Sequence, residues 1–285
     1  MFKNFQEFNN YKKNKNHQSG PDLHNLNYIT KFETYSGIYE LQYLEKEFKY
    51  LNIGNDDMGI LKFFWGGEPE FLSMHLWTLA CQQDGFCLDI GAHTGRYTVI
   101  GSLFGKNKIV SFEPYFLNYS RMLSNLRLNE FSTNNCFMAG VSSRSDKGIL
   151  NIKGNNFFHT SAGKVDKNTS SGLQIQLIKI DDIKFKHRVV ALKIDTEGHE
   201  SEVLKGATST IEKYGPTLII EKNTETFNEC INILNKYDYE IFFVNDSLKK
   251  ITTIEKEVHG CNNFICISKK NYDYYMKFIN TNSYI

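Results

Sequence analysis

Residues 86–95 read FCLDIGAHTG, an apolar run that ends in an acid and continues directly into a glycine turn. A helical stretch follows, and a second apolar run, KIVSF at 108–112, ends at Glu113-Pro114. Strand, tight turn, helix and strand in this order begin an open α/β sheet, in which ligands bind beyond the carboxyl ends of the strands. The stretch therefore predicts a cofactor pocket of the nucleotide-binding type at the turn.

The acids of this unit distinguish between cofactors. A dinucleotide turn has the pattern G-x-G-x-x-G, whose bare backbone amides face a pyrophosphate. Here His93 and Arg96 occupy the second and third glycine positions, and Asp89 at the strand end would repel a pyrophosphate. A carboxylate there attracts a ligand that carries an ammonium and a sulfonium, as S-adenosylmethionine (SAM) does. Glu113 lies where an acid can accept hydrogen bonds from ribose hydroxyls. The residues thus favour SAM over NAD.

The composition is that of an ordinary globular protein, with 41% hydrophobic and 23% charged residues in a chain of 285. A net charge of +1 provides no basic field for nucleic acid, so we expect no nucleic-acid partner. The six cysteines form no C-x-x-C pair, and we expect reduced thiols. Residues 1–21 are polar, which predicts a flexible N-terminus that is neither a signal peptide nor a membrane span. A cytoplasmic location is the resulting expectation.

The segment 22–82 predicts an accessory cap before the cofactor unit. Ile38, Leu41, Leu44 and Phe48 have helical spacing. The runs 49–53 and 58–64, separated by GNDD, suggest a β-hairpin, and Glu68-Pro69 suggests the first turn of a helix.

Strands and helices alternate from residue 83 to 270. Strands are expected at 86–90, 108–112, 136–141, 189–194, 217–221, 240–244 and 263–268, with an interruption at 148–178 that reads as two strands around the polar stretch 154–172. Such alternation predicts an α/β fold with a mostly parallel sheet and helices on both faces. The last two strands have no helix between them, so the final strand is expected to be antiparallel. Residues 271–285 form a C-terminal tail with a short amphipathic helix.

A second concentration of acids occurs at 192–200, LKIDTEGHE, which begins in an apolar strand and ends at a helix start. Asp195 and Glu197 should stand at the same sheet edge as Asp89 and Glu113. For Glu200 we favour a structural interpretation, an acid near the positive end of a helix.

The two acidic blocks together resemble the FkbM-type family of SAM-dependent methyltransferases. That family pairs a D-x-G-A-x-x-G turn with a later K-I-D-x-E-G-x-E block, matched here at 89–95 and 193–200. Further matches, in the family's order, are FEP at 112–114, NLRLN at 125–129, AGVS at 139–142, IDDI at 180–183, LKGA at 204–207 and PTLIIE at 216–221. The resemblance covers about 60–268. His93 departs from the family's usual Asn, and the stretch 154–172 has no counterpart.

The resemblance implies a class I SAM-methyltransferase fold, Rossmann-like, with seven strands and the last one antiparallel. It also implies methyl transfer to oxygen, typically on a sugar or other small-molecule hydroxyl. Methylation of nitrogen, or of a protein or lipid-linked acceptor, remains an alternative, as does a non-catalytic SAM-binding scaffold. The acceptor itself is not readable from the sequence.

Roles for individual residues follow from this interpretation. An alcohol needs a base as its proton leaves, and the candidates are Asp195 and Glu197, then His199, then His159. A divalent metal held by Asp195 and Glu197 is an alternative, although the sequence identifies no third ligand. The residues expected to contact the cofactor are Asp89, Gly91, Ala92 and Gly95 near the methionyl part, Glu113 at the ribose, and Pro114 and Tyr115 near the adenine.

Overall fold

The computed structural model describes residues 2–15, 32–54, 57–66, 70–105, 108–152, 163–166, 172–254 and 261–284. Its N-terminal part contains α1 (Phe5–Lys15), β1 (Gly37–Tyr43), β2 (Lys46–Asn52), α2 (Met58–Phe64) and α3 (Phe71–Cys81). The strands β1 and β2 form an antiparallel hairpin in which all seven residues of each strand are paired.

This hairpin corrects the prediction of a helix around Ile38 and Leu44. Side chains alternate along β1, with Tyr39, Leu41 and Tyr43 buried and the residues between them exposed, which is the period of a strand. Ile38 stands on the exposed side of β1 and Leu44 is exposed in the turn after it, and together with the buried Leu41 and Phe48 they give a helical spacing.

The run 58–64, predicted as a strand, is the helix α2. Asp57 caps it, because its carboxylate accepts a hydrogen bond of 3.0 Å from the amide of Ile60. The N-terminal stretch 1–21, predicted to be flexible, contains α1, and Phe8 of that helix is fully buried against Phe64 with ring centroids 4.6 Å apart. Its polar composition concealed aromatic residues at helical spacing.

The central sheet is mostly parallel, as predicted. After α3 the elements of the chain are, in order, β3 (Phe86–Ile90), α4 (Arg96–Phe104), β4 (Ile109–Phe112), α5 (Phe116–Leu128), β5 (Cys136–Phe137), β6 (Gly140–Val141), β7 (Asp146–Ile152), β8 (Gly163–Asp166), β9 (Leu173–Ile178), β10 (Val189–Ile194), α6 (Glu200–Lys205), α7 (Thr208–Tyr214), β11 (Thr217–Glu221), α8 (Phe227–Leu234), β12 (Tyr239–Asn245), β13 (Lys250–Thr253), β14 (Asn263–Ser268) and α9 (Tyr272–Thr281).

Within the described residues the central sheet has eight strands in the order β13-β12-β14-β11-β10-β3-β4-β5. The last strand in the chain, β14, is antiparallel to both of its neighbours, which confirms the prediction. The eighth strand, β13, was not predicted and pairs with β12 at the edge.

Helices cover both faces of this sheet. Leu88, Leu192 and Leu218 pack in one core with α6, α7 and α8, whereas Cys87 and Ala191 pack in another with α3 and α4. Neighbouring residues of a strand therefore enter different cores, so the central strands are apolar on both sides.

A second, four-stranded sheet has the order β6-β9-β7-β8. It arises because the predicted strand 136–141 divides, with β5 in the central sheet and β6 in the smaller one. The two strands predicted around 154–172 are β7 and β9, and β8 is an addition; residues 153–162 and 167–171 lie outside the described residues.

The helix predicted at 199–213 is interrupted between α6 and α7. Gly206 stands at the break, where an added Cβ would lie 2.0 Å from the carbonyl oxygen of Ser142. In the C-terminal tail, α9 buries Tyr275 and Ile279 against its own chain. Among the described residues, none of the helices combines the length and apolar character that crossing a bilayer requires.

Candidate functional site

All but one of the described residues predicted to bind the cofactor or to act in catalysis meet at one cavity of about 260 Å³, beyond the carboxyl ends of β3, β4 and β10. Those that line it are Asp89, Gly91, Ala92, Glu113, Pro114, Tyr115, Asp195, Glu197 and His199. The two acidic blocks, about a hundred residues apart in the sequence, thus share one cleft.

Direct backbone contact joins the two blocks. Gly91 has a φ of +79°, and a Cβ at this position would lie 1.8 Å from the carbonyl oxygen of Asp195. The amide of Asp195 in turn donates a hydrogen bond of 3.0 Å to the carbonyl of Ile90. Glycine is required at position 91 because the loop after β10 occupies the space of a side chain.

Gly95 is the predicted site residue that does not line the cavity. It precedes α4 with a φ of +94°, and its amide donates to the carbonyl of Ala92 at 2.9 Å. An added Cβ would lie 2.7 Å from Cγ of Met122. Gly95 therefore allows the turn to pack closely against α5.

Asp89 is buried at the cavity wall. Thr98 Oγ1 donates a hydrogen bond of 2.6 Å to its carboxylate. Burial raises the pKa of Asp89 to about 6; the Thr98 hydrogen bond and the Lys193 ammonium oppose this rise, and the carboxylates of Asp195 and Glu113 add to it. The environment of Asp89 thus favours the binding of a cation, which would supply the missing countercharge.

Glu113 organises the backbone around the cavity. Its carboxylate accepts hydrogen bonds from the amides of His93 at 2.8 Å and Tyr115 at 2.9 Å. Burial raises the pKa of Glu113, opposed by His93 and by these hydrogen bonds. The oxygen bonded to Tyr115 also accepts a hydrogen bond of 3.5 Å from the side-chain amide of Asn118. The oxygen bonded to His93 can accept a further bond, so the predicted contact with a ribose stays compatible with this geometry.

The N-terminal cap docks onto the glycine turn through Asp57, a contact that the sequence did not predict. Asp57 is buried and accepts a hydrogen bond from the hydroxyl of Thr94, which also lies 2.9 Å from the hydroxyl of Tyr50. Nδ1 of His93 is 3.8 Å from the same carboxylate. Asp57, Met58 and Gly59 also line the cavity. An Asp before an apolar helix is an N-cap signal, hidden here because the helix was read as a strand.

The second block contributes a cluster of carboxylates. Asp195 accepts a hydrogen bond of 3.0 Å from the buried ammonium of Lys193. Glu197, an exposed residue with a φ of +54°, has a partly desolvated carboxyl; this burial and the charges of Asp195 and Glu200 raise its pKa to about 7. A pKa near neutrality suits a group that gives and takes protons.

Glu221 joins this cluster from the end of β11, and its participation was missed. One oxygen each of Asp195, Glu197 and Glu221 lie within 4.8 Å of one another. Burial and the neighbouring carboxylates raise the pKa of Glu221 to about 9. The sequence places Glu221 at the end of a predicted strand. Only the strand order, in which β11 lies next to β10, brings Glu221 close to Asp195 and Glu197.

The cluster offers the third ligand that the sequence did not identify. Three carboxylates suit a hard divalent cation such as Mg²⁺. The ammonium of Lys193, however, already neutralises Asp195 at 3.0 Å. The same arrangement can hold protons instead of a metal.

His199 and Glu200 have different surroundings. His199 is buried at the start of α6, lines the cavity, and has Nε2 3.0 Å from the hydroxyl of Ser142. Glu200 is fully buried and accepts hydrogen bonds from the amides of Thr196 and Gly198, so it holds the loop, in agreement with the structural interpretation. His159 lies outside the described residues.

Comparison with known proteins decides the family. A model of the methyltransferase FkbM domain matches residues 89–241, more than half of the chain. The chain belongs to the FkbM methyltransferase family. The resemblance seen in the sequence is thereby confirmed, and the matched span of this FkbM methyltransferase domain contains both acidic blocks.

Several solved structures are similar to this FkbM-family chain. The FkbM methyltransferase of Methylobacillus flagellatus KT is 18% identical with a TM-score of 0.43; the similarity covers 73% of this chain and 52% of that one, about half its length. The tRNA (uracil-54, C5)-methyltransferase of Pyrococcus abyssi, in complex with S-adenosyl-L-homocysteine, is 10% identical (TM-score 0.44, 81% of this chain and 44% of that chain). An rRNA methylase of Streptococcus thermophilus is also 10% identical (TM-score 0.44, 70% and 96%). A search of curated proteins found no match.

Proposed function

We propose that this chain is a SAM-dependent methyltransferase that methylates a hydroxyl of a sugar or another small molecule. The observation that carries the proposal is the shared cavity of Asp89, Glu113 and Asp195 at the carboxyl ends of parallel strands. Membership of the FkbM methyltransferase family supports it.

The residues of the cavity fit SAM by their chemistry. Asp89 places negative charge where a ligand with an ammonium and a sulfonium would be favoured, and Glu113 offers an acceptor for ribose hydroxyls. Gly91 lets the turn after β3 approach the loop after β10, which brings both acidic blocks to the cavity. When bound, SAM supplies an already activated methyl group.

The chain's own contribution is to align the acceptor and to accept its proton. Alignment contributes on the order of 7–11 kcal/mol to lowering a barrier, and a placed base about 10²–10⁴-fold in rate. With a pKa of about 7, a substantial fraction of Glu197 is ionised at neutral pH and can take the hydroxyl proton as the oxygen–methyl bond forms. Asp195, held by Lys193, stands beside it.

Calorimetric titration with SAM tests the cofactor site. Asp89→Ala should abolish binding, whereas Asp238→Ala, an exposed acid paired with Lys269, should leave it unchanged. Full affinity in the Asp89 variant would remove this site assignment.

Turnover tests the base. Asp195→Asn and Glu197→Gln should retain SAM binding but stop methyl transfer from labelled SAM to sugars or nucleotide sugars. Normal turnover in both variants would contradict the assignment. An RNA arm in the same screen tests the expectation from net charge, and an amine arm tests transfer to nitrogen. If the chain binds SAM but methylates none of these acceptors, the alternative of a non-catalytic SAM-binding scaffold is favoured.

The carboxylate cluster also allows a prediction of whether activity depends on a metal. Because Lys193 already supplies the positive charge beside Asp195, we expect activity to survive EDTA. Loss of turnover with EDTA, restored by Mg²⁺, would identify Asp195, Glu197 and Glu221 as a metal site instead.

A further inference from the structure

Arg96, the first residue of α4, has a hydrogen-bonding group without a partner. Its Nη2 is bonded to the carboxylate of Glu70, but Nη1 is buried and has no hydrogen-bond partner among the described residues. Arg96 also lines the cavity, directly after the glycine turn. A buried guanidinium nitrogen left unpaired is costly, so a ligand acceptor at this place would gain from binding.

The guanidinium is held in place from behind. The side chain of Glu70, the residue before α3, is largely buried. Its second oxygen accepts a hydrogen bond of 3.0 Å from the side-chain amide of Asn263 on β14. This arrangement fixes the orientation of Arg96 before any ligand arrives.

Two further donors lie beside Arg96. The hydroxyl of Tyr97 is buried and has no hydrogen-bond partner within the described part of the chain. The ring of Tyr97 lies 5.5 Å from Cζ of Arg96 and 5.0 Å from Nζ of Lys193. All three residues line the cavity, which therefore offers hydrogen-bond donors as well as the acids Asp89 and Glu113.

We propose that Arg96, assisted by Tyr97 and Lys193, binds the carboxylate of the methionyl part of SAM. This inference rests on the proposed binding of SAM. The cofactor carries two cationic groups, which suit the buried carboxyl of Asp89, and one carboxylate, which needs donors. The planar guanidinium matches a carboxylate in geometry. Glu70 and the nearby Asp57 offset the charge of Arg96, so its unpaired nitrogen supplies directed hydrogen bonds.

The test compares SAM with decarboxylated SAM, which keeps the ammonium and the sulfonium. Calorimetry on the full chain should give the wild type an affinity for SAM about 10- to 100-fold higher, the value of hydrogen bonds to a charged group. Arg96→Gln should lose this preference while binding decarboxylated SAM as the wild type does. Arg121→Gln, a half-buried arginine that does not line the cavity, should keep the preference.

The outcomes separate this inference from the proposed function. If Arg96→Gln keeps the preference for SAM over decarboxylated SAM, the inference is wrong but the proposed function stands. The same holds if Arg96→Gln loses affinity for SAM and for decarboxylated SAM equally. Failure of the wild type to bind either ligand overturns the proposed function and the inference together. If the single variant does not fold, Glu70→Gln combined with Arg96→Gln leaves no buried charge unpaired, and its preference between the two ligands decides.

Discussion

At the scale of single residues, Asp89 illustrates how a binding group opposes the stability of the fold. Its carboxyl is buried and its pKa is raised to about 6, mainly by that burial. An unfolded aspartate ionises near pH 3.9. Between these values, rising pH ionises Asp89 more readily in the unfolded chain than in the folded one, so stability falls across this interval and stays lower above it.

Removing the negative charge of Asp89 should therefore stabilise the folded protein. Asp89→Asn keeps an oxygen for the hydroxyl of Thr98 and removes the buried charge. We expect a gain in the free energy of unfolding of about 3 kcal/mol at pH 8 and about half of that at pH 5. Urea denaturation at both pH values measures it, with Asp238→Asn as the exposed control. Equal stability of Asp89→Asn and wild type at pH 8 would contradict the raised pKa.

Glu197 makes a second prediction, for activity. Because only the ionised carboxylate accepts a proton, kcat/KM should rise with pH through about 7, the raised pKa of Glu197. Glu197→Gln should remove this limb of the profile. A histidine titrates in the same range, so His199→Gln is the comparison, and it should keep the limb. Loss of the limb in His199→Gln alone would transfer the role of base to the imidazole.

At the scale of elements, the turn after β3 and the loop after β10 form one unit. Gly91→Ala places a methyl group against the carbonyl of Asp195, in a backbone conformation that costs about 1–2 kcal/mol for a residue with a side chain. Gly54→Ala has the same kind of positive φ, but its methyl meets nothing within 4 Å in the described structure.

Comparison of Gly91→Ala with Gly54→Ala separates the cost of backbone strain from the cost of the steric contact with Asp195. Gly54→Ala should cost about 1–2 kcal/mol of unfolding free energy, and Gly91→Ala more than that, together with a loss of SAM binding. Urea denaturation and calorimetry measure the two effects. Equal destabilisation by both substitutions would mean that the two acidic blocks are not held against each other.

Strands of the central sheet could be predicted because they are buried on both faces. Phe86–Ile90 and Val189–Ile194 read as apolar runs interrupted only by Asp89 and Lys193, and their predicted bounds agree with the structure. The hairpin of β1 and β2 could not be predicted in the same way, since exposed Ile38 and Leu44 imitate a helical face. The spacing of apolar residues predicts secondary structure only where those residues are buried. Exposed apolar residues lead to a wrong assignment.

The site follows the same rule. Acids at strand ends could be predicted to share a sheet edge from the α/β pattern alone. Glu221 and Arg96 could not, because their roles depend on which strands are neighbours and on which side chains remain unpaired. These contacts exist only after the chain is folded.

At the scale of the whole molecule, the N-terminal segments and the cofactor domain form a continuous structure. Aromatic side chains of α1 pack on β1 and α2, and α2 lines the cavity at Met58 and Gly59. The predicted division at residues 21 and 82 therefore separates segments that pack together. Average polarity concealed this, since a few aromatic residues at helical spacing are enough to anchor α1.

The anchoring of α1 gives the last prediction. Phe8 is fully buried and stacks on Phe64, so Phe8→Ala should cost about 3–5 kcal/mol of unfolding free energy, the range for removing a buried aromatic ring. Phe116, which is 49% exposed, is the matched control, and Phe116→Ala should cost much less. Denaturation of both variants by urea measures the difference. If Phe8→Ala were no more destabilising than Phe116→Ala, α1 would not be part of the folded core, and the N-terminal segment would behave as its polar composition suggests.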